Sequence, residues 1–190
     1  MIFDIYQNLI KEKESGFVLK NGSVDYGSIS IKEEQDAVYC SAWLLDLTCV
    51  MEMQKHGNTS QDGLIQSFLD ENVKDYDGKI SYLAEKNMAD IRLSCDKGLY
   101  VAYPSGDKLE MFVPIYQNGL QVALIKKVKD TNSSVFHYRI YADTRFESMI
   151  ALQIFSLLYT RIKHGCLLLD VNTEKYNSTY EDDIMLHNRV

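Results

Sequence analysis

His137 is the histidine whose position is most suggestive of chemistry, because it stands two residues before Arg139 in an alternating apolar and polar segment, 136–140. A general base needs a carboxylate or a nucleophile within hydrogen-bond reach, and the sequence places none beside it. His56 and His164 lie at predicted helix ends, where a base caps free carbonyls. His187 belongs to the C-terminal tail.

Other catalytic and metal-binding patterns do not stand out. The four cysteines, at positions 40, 49, 95 and 166, form no C-x-x-C pair and lie in apolar surroundings, which indicates buried, reduced thiols. The acidic clusters at 33–34, 75–77 and 181–183 fit a helix start, a loop and a solvated tail. No phosphate-binding glycine loop or nucleophile elbow occurs. We therefore predict no catalytic residue, no metal and no cofactor.

A second group of residues points to binding. In the predicted strands of segment 88–143, one face collects aromatic and basic side chains on an otherwise acidic chain. Aromatic residues and arginine dominate the hot spots of protein interfaces. The candidate interface consists of Arg92, Tyr100, Phe112, Tyr116, Lys127, His137, Arg139 and Tyr141.

The opposite face of the same strands is apolar and is predicted to be core. Alternation places on it Ile91, Leu93, Cys95, Val101, Met111, Val113, Ile115, Val122, Leu124, Phe136, Tyr138 and Ile140. Asn118-Gly119 is the strongest hairpin signal in the chain. Segment 88–143 is therefore predicted to be a meander of antiparallel strands.

The helix that follows the meander has clear boundaries. Thr144-Arg145-Phe146-Glu147 matches a capping box, and Gly165 follows the last apolar position. The sequence predicts a helix over 144–164 that packs on the apolar face of the meander.

The first half of the chain is interpreted mainly as helical. An apolar stripe through Ala37, Cys40, Leu44, Leu47 and Met51 predicts a long helix over 33–56. Short helices are predicted over 2–14 and over 60–69, and one or two further helical turns are predicted at 80–84. Segments 17–19 and 28–31 are predicted to form a hairpin.

These elements combine into an α+β fold, in which a mainly antiparallel meander sheet of about five to seven strands is packed by the two long helices 33–56 and 144–164. Residues 1–170 form one domain, and 171–190 form a polar, acidic tail that is partly mobile. Whether helix 33–56 covers the aromatic and basic face stays open at this point.

Composition and charge narrow the compartment and the partners. The chain has 190 residues, a net charge of -7 and a pI near 5.1. The charge disfavours nucleic acid and anionic membranes and suits a basic protein partner. No basic segment precedes an apolar run at the N-terminus and no apolar run reaches the length of a membrane span, so the expected location is cytoplasmic.

The leading functional hypothesis is a non-enzymatic protein-binding module of the inhibitor, immunity-protein or chaperone type, which blocks or holds a partner protein. Association with further copies of the chain is left open. The alternatives are a small hydrolase-like enzyme with a pocket near His137, and a binder of single-stranded nucleic acid that stacks bases on the aromatic side chains.

Overall fold

The computed structural model describes residues 1–54, 60–69, 73–85, 88–107, 110–129, 136–170 and 179–187. Within these ranges the chain is mostly β-sheet, with two helices near its C-terminus. The strands are β1 (Ile2–Ile10), β2 (Glu14–Asn21), β3 (Val24–Glu33), β4 (Ala37–Leu44), β5 (Leu47–Gln54), β6 (Ser60–Leu69), β7 (Val73–Glu85), β8 (Met88–Cys95), β9 (Gly98–Ala102), β10 (Ser105–Gly106), β11 (Met111–Gln117), β12 (Leu120–Lys129) and β13 (Phe136–Ala142). The helices are α1 (Arg145–Lys163) and α2 (Tyr180–His187).

The sheet closes into an antiparallel barrel. Each strand from β1 to β8 pairs with the next one in the chain, β11 pairs with β12 and β12 with β13, and β13 pairs with β1. The barrel of twelve strands closes where β9 pairs with β11, with Val101 opposite Tyr116. The short β10 pairs with the other part of β11. Closure leaves few unpaired strand edges, because each main strand has a neighbour on both sides.

Helix α1 fills the interior of the barrel. Its residues from Ser148 to Leu158 are all buried, and it contacts strands as far apart around the barrel as β4 and β13. A barrel of about twelve strands is wider than one that its own inward side chains fill, so its core needs an additional element. The inward residues of the strands and the apolar residues of α1 form one core cluster.

The predicted caps of α1 are confirmed. The Thr144 hydroxyl accepts hydrogen bonds from the amides of Phe146 and Glu147 at 3.1 and 3.4 Å, and the Glu147 carboxylate contacts the same hydroxyl. At the other end, Gly165 has a φ of +66°. The Gly165 amide donates to the Ile162 carbonyl and the Cys166 amide to the Arg161 carbonyl, which is a Schellman motif.

The predicted fold class is wrong, because one long helix lies inside a closed barrel and no pair of long helices packs on an open sheet. Of the predicted helix 33–56, residues 37–54 form the hairpin β4–β5 with its turn at Leu45-Asp46, while 55–56 lie outside the described residues. Leu45 has a φ of +58°, which is uncommon for a residue other than glycine. Because the turn contains neither glycine nor proline, the sequence carried no turn signal at this place.

The other predicted helices in the first half are also wrong. Segment 2–14 forms β1 and the start of β2, and segments 60–69 and 80–84 lie in the paired strands β6 and β7. The hairpin predicted from segments 17–19 and 28–31 is confirmed as β2–β3, and the meander is confirmed as β8, β9, β11, β12 and β13. Asn118 and Gly119 both have positive φ at the β11–β12 turn, as a type I′ hairpin requires.

The predicted tail is described only over 179–187. There, α2 packs on the outside of the barrel through Tyr180 and Ile184, which are 6% and 8% exposed. These two side chains form a small cluster with Leu124 and Tyr141. The β12–β13 wall therefore has α1 on its inner side and α2 on its outer side.

Candidate functional site

Strand register places three of the candidate interface residues together on the outer side of the barrel. His137, Arg139 and Tyr141 alternate with the inward residues Tyr138 and Ile140 along β13. The neighbouring strand β1 sets Asp4 opposite Arg139 and Ile2 opposite Tyr141. The alternation predicted for β13 is confirmed.

Arg139 is paired with an acid from that neighbouring strand. Its Nε and Nη2 atoms donate to the two carboxylate oxygens of Asp4 at 2.6 and 3.0 Å, which is a bidentate ion pair. The hydrogen bonds from Arg139 to Asp4 are the main cause that raises the pKa of the guanidinium above its usual range. Arg92 and Lys126 are likewise paired, with Asp90 and Glu181. These cations are compensated within the chain, which reduces their value for binding a phosphate backbone.

His137 does meet an acid. Its Nε2 atom lies 3.3 Å from a carboxylate oxygen of Asp4, and its ring stacks on Tyr6 at 4.8 Å between ring centroids. The residue is 7% exposed, and neither ring nitrogen has a hydrogen-bond partner among the described residues. The cavities described below do not include His137 in their linings. This arrangement packs the ring against the barrel wall, between Tyr6 and the Asp4 carboxylate.

Phe112 and Tyr141 lie beneath α2. Both belong to the cluster that the helix forms on the outside of the barrel. Lys126 lies 5.4 Å from the centroid of the Phe112 ring and binds Glu181 of α2 at 2.8 Å. The Tyr180 hydroxyl donates to Asp143 at 2.8 Å. The chain's own helix therefore occupies this part of the predicted interface.

Tyr100 lies on the inner side of the barrel, so its predicted place on the outer face is wrong. It is 1% exposed, and its ring centroid lies 6.4 Å from that of Phe146 at the start of α1. Burial raises the pKa of its hydroxyl to about 12. Val101, which was predicted to be core, is correspondingly outside. Leu99 to Tyr103 is an unbroken apolar run, so alternation could not orient β9.

Leu124 also lies on the face opposite to the one that was predicted. It was predicted to face the main core, but it lies on the outer side under α2, while Ala123 and Ile125 face α1. Residues 122 to 125 are all apolar because both sides of this strand are buried. Buried strands of this kind lack alternation.

Arg92 and Tyr116 come together across the closure of the barrel. Arg92 is opposite Val101 in the β8–β9 pair, and Val101 is opposite Tyr116 in the β9–β11 pair. These three residues form a row on the outer side. Tyr103 adds a second ring whose centroid is 6.1 Å from that of Tyr116. We call the group of Arg92, Leu99, Val101, Tyr103 and Tyr116 the seam surface.

An open depression lies in the seam surface. Its volume is about 530 Å³, and it is lined by Leu99, Val101, Tyr103, Tyr116, Asn118 and Gly119. Leu99 is 48% exposed, and the adjacent Leu120 is 72% exposed. Sequence reasoning missed Leu99, Val101 and Tyr103 because only the β9–β11 pairing brings them beside Tyr116.

Lys127 lies at another place, on the inner side of the barrel. It is the cross-strand partner of Tyr138, and both line a cavity of about 410 Å³ near the C-terminal end of α1. Burial lowers the pKa of the Lys127 ammonium, while the charge of Asp107 acts in the opposite direction. Lys127 is therefore separate from the outer candidate residues.

The fold and this surface define a class of protein: a closed antiparallel barrel threaded by a helix, with an apolar and aromatic seam on its outside. No family model, curated protein or solved structure matches the chain. Neither described helix combines the length and the apolar composition that crossing a membrane requires. Over the described ranges, no group of three or more His, Cys, Asp or Glu side chains is placed to hold a metal ion.

Proposed function

We propose that the protein is a non-enzymatic module that binds another protein through the seam surface, and that it blocks or holds this partner as an inhibitor, immunity protein or chaperone does. The row of Arg92, Val101 and Tyr116 beside Tyr103 is the observation that carries the proposal. Interface hot spots combine aromatic rings and arginine in this way around a place where a partner's side chain can insert.

The shape and charge of the molecule support a protein partner. The depression is open and mainly apolar, with polar Asn118 at its rim, which matches an apolar interface centre with a polar border. The net charge of -7 favours steering of a basic protein toward the barrel. The proposed compartment is the cytoplasm, where the four free cysteines stay reduced.

The proposal is tested first by mapping contacts in the cells of the source organism. A photo-activated phenylalanine analogue is placed at Leu99 in the seam surface or, as a control, at Tyr39 on the outer face of β4. Tyr39 is 40% exposed and lies across the barrel from the seam. We expect one protein to be crosslinked from position 99 and not from position 39. Equal crosslinking from both positions would contradict a specific seam interface.

The crosslinked protein is then purified and titrated against variants. Tyr116→Ala is expected to weaken binding by about tenfold or more, because an aromatic hot spot contributes about 2 kcal/mol or more. Tyr39→Ala should change the affinity less than about twofold, and neither substitution should shift the melting temperature appreciably. Tyr141→Ala is a poorer probe, because Tyr141 is packed under α2. Unchanged affinity in Tyr116→Ala would refute the proposal.

A further inference from the structure

The cavity beside Lys127 lies inside the barrel, near the end of α1, and is distinct from the seam surface. Its volume of about 410 Å³ falls within the range of about 300–1,000 Å³ typical of small-molecule sites. Ile162 near the end of α1 and Leu167 and Leu169 in the following segment form part of its lining. Asp107 and Gly165 are exposed residues of the same lining, so the cavity reaches the surface at the mouth of the barrel.

The segment that borders the cavity is held in place by the barrel wall. The Tyr82 hydroxyl accepts a hydrogen bond from the Leu168 amide at 3.0 Å. Arg161 lies over the Tyr82 ring at 4.4 Å and donates to the Cys166 carbonyl at 3.1 Å. The Asp170 amide donates to the Pro104 carbonyl at 2.9 Å. These bonds fix the segment on both sides of Leu167 and Leu169, so the cavity is preformed.

Two hydrogen-bond donors project into this mainly apolar space from adjacent strands. Lys127 and Tyr138 are cross-strand partners, next to the pair Ile125 and Ile140, whose side chains belong to the core. An ammonium in such surroundings has lost part of its hydration, which makes an additional anionic partner favourable. Among the described residues of the lining, Asp107 at the exposed rim is the one acidic side chain.

The Tyr138 hydroxyl is suited to act as the second donor. Its ring is fixed by edge contact with Phe155 of α1, at 5.0 Å between ring centroids. Burial raises its pKa to about 12, so the hydroxyl keeps its proton at neutral pH. It makes no hydrogen bond to any residue in the part of the chain that the structure describes. A ligand oxygen can therefore accept from it without displacing a protein partner.

We propose that this cavity binds a small amphipathic carboxylate. The apolar body of the ligand packs against Met111, Ile162 and Leu167, and its carboxylate accepts from the Lys127 ammonium and the Tyr138 hydroxyl. A carboxylate suits this pair because its two oxygens can each take one donor. A ligand with the same apolar body and a cationic group is disfavoured, because both donors on the wall would be left facing a positive charge.

The test uses three probes with the same apolar chain: octanoate, octan-1-ol and octylammonium. Binding to the purified full chain is measured at neutral pH by calorimetry, and the methyl resonance of buried Met111 reports occupancy of this cavity. Octanoate is expected to bind about tenfold or more tightly than octanol, because a charge-assisted hydrogen bond is worth about that factor. Octylammonium is expected to bind most weakly.

Adjacent lysines provide a matched pair of variants. Lys127→Met should weaken octanoate binding by about tenfold or more and leave octanol binding nearly unchanged. Lys126→Met, one residue away on the outer side, should leave both affinities unchanged. Tyr138→Phe should weaken octanoate binding by about threefold to tenfold, since it removes one hydrogen bond to a charged group.

Several results would overturn the inference. These are absence of saturable octanoate binding below its micelle concentration, equal affinities for octanoate and octanol, an unchanged Met111 resonance on binding, or equal effects of Lys127→Met and Lys126→Met. Tyr116 of the seam surface does not line the cavity, so each of these outcomes is independent of the seam surface. Failure of this inference therefore does not count against the proposed protein interface.

Discussion

Strands β12 and β13 have a helix on each side, and the two helices meet this wall in different ways. Helix α1 has 19 residues and is enclosed by strands, so residues on all its sides are buried. Helix α2 has eight residues, buries Tyr180 and Ile184, and exposes Asp182 and Asp183. The difference follows from position, because a helix inside a barrel has no solvent side.

The two environments also treat polar groups differently. Within α1, the Ser156 and Thr160 hydroxyls donate to the carbonyls four residues earlier, both at 2.9 Å, and Gln153 accepts from the Tyr76 hydroxyl. Burial raises the pKa of the adjacent Cys49 thiol to about 12, which keeps it neutral. Around α2, by contrast, Lys126 and Glu181 form an ion pair that is partly solvated. Inside the barrel the protein supplies these hydrogen-bond partners, whereas the ion pair at α2 is partly exposed to water.

The difference between the two sides of this wall is tested most directly by truncating one phenylalanine on each side. Phe155→Ala on α1 removes a ring that contacts Phe17, Tyr138 and Tyr159 in the core. We expect it to lower the free energy of unfolding by about 3–5 kcal/mol. Phe112→Ala under α2 should cost about 1–2 kcal/mol, because α2 can shift to close the gap. Urea unfolding followed by circular dichroism measures both, and equal losses would contradict the distinction.

The second prediction concerns the acid that anchors the end of α1. Glu33 on β3 is 6% exposed, and its carboxylate oxygens lie 2.7 Å from Lys163 and 2.6 Å from His164. Burial alone would raise the pKa of the Glu33 carboxyl, but the hydrogen bonds and charges of Lys163 and His164 outweigh burial and lower it. The folded state therefore takes up this proton at a lower pH than the unfolded chain does.

The contribution of Glu33 to the free energy of unfolding should therefore be complete above the pKa of an unfolded glutamate, about 4.3. It should be lost as the pH falls through the lower pKa that Glu33 has in the folded state. Urea unfolding between about pH 6 and about pH 3 measures the slope of the free energy of unfolding against pH. Glu33→Gln is expected to reduce it, whereas Glu52→Gln on the exposed face of β5 should leave it unchanged. An identical slope in Glu33→Gln and the wild type would show that Glu33 contributes no such linkage.

The smallest expected effect concerns the packing of α2 on the outside of the barrel. Ile184→Ala removes an 8% exposed side chain from the outer cluster and should cost about 1–2 kcal/mol. Hydrogen exchange should then accelerate at the amides of α2 while those of β12 and β13 keep their protection. Ile10→Ala, at a 73% exposed isoleucine, serves as the control and should change neither quantity. Accelerated exchange throughout β12 and β13 would mean that α2 is integral to the barrel.

Sequence reasoning succeeded where one periodicity was unambiguous. The capping box at Thr144 and the glycine at 165 located α1, and Asn118-Gly119 located a hairpin. It failed for β4 and β5, where the stripe from Ala37 to Met51 also fits a helix and the turn at Leu45-Asp46 has no glycine. The alternation of Cys40, Ala42 and Leu44 with Tyr39, Ser41 and Trp43 was present in the same segment. Overlapping periods of this kind cannot be separated without knowing the partner strands.

The candidate interface was predictable to a similar degree. Alternation correctly placed Arg92, Tyr116, His137, Arg139 and Tyr141 on the outer side, but it could not show that Asp4 pairs with Arg139 or that α2 covers Tyr141. Lys127 was assigned to the same aromatic and basic face of the meander, and this assignment is wrong. The structure places it on the wall of an internal cavity, where burial and Asp107 act on its pKa in opposite directions.

The sequence by itself determined the local elements with strong signals: the meander, its type I′ turn and the capped helix from Thr144. Only the tertiary structure decided that the sheet closes at β9 and β11, that α1 lies inside the closed barrel, and that Arg92, Val101 and Tyr116 form one surface. Local patterns depend on neighbours along the chain, and these are written in the sequence. Closure and enclosure depend on pairings between distant strands, which alternation leaves undetermined when both sides of a strand are buried.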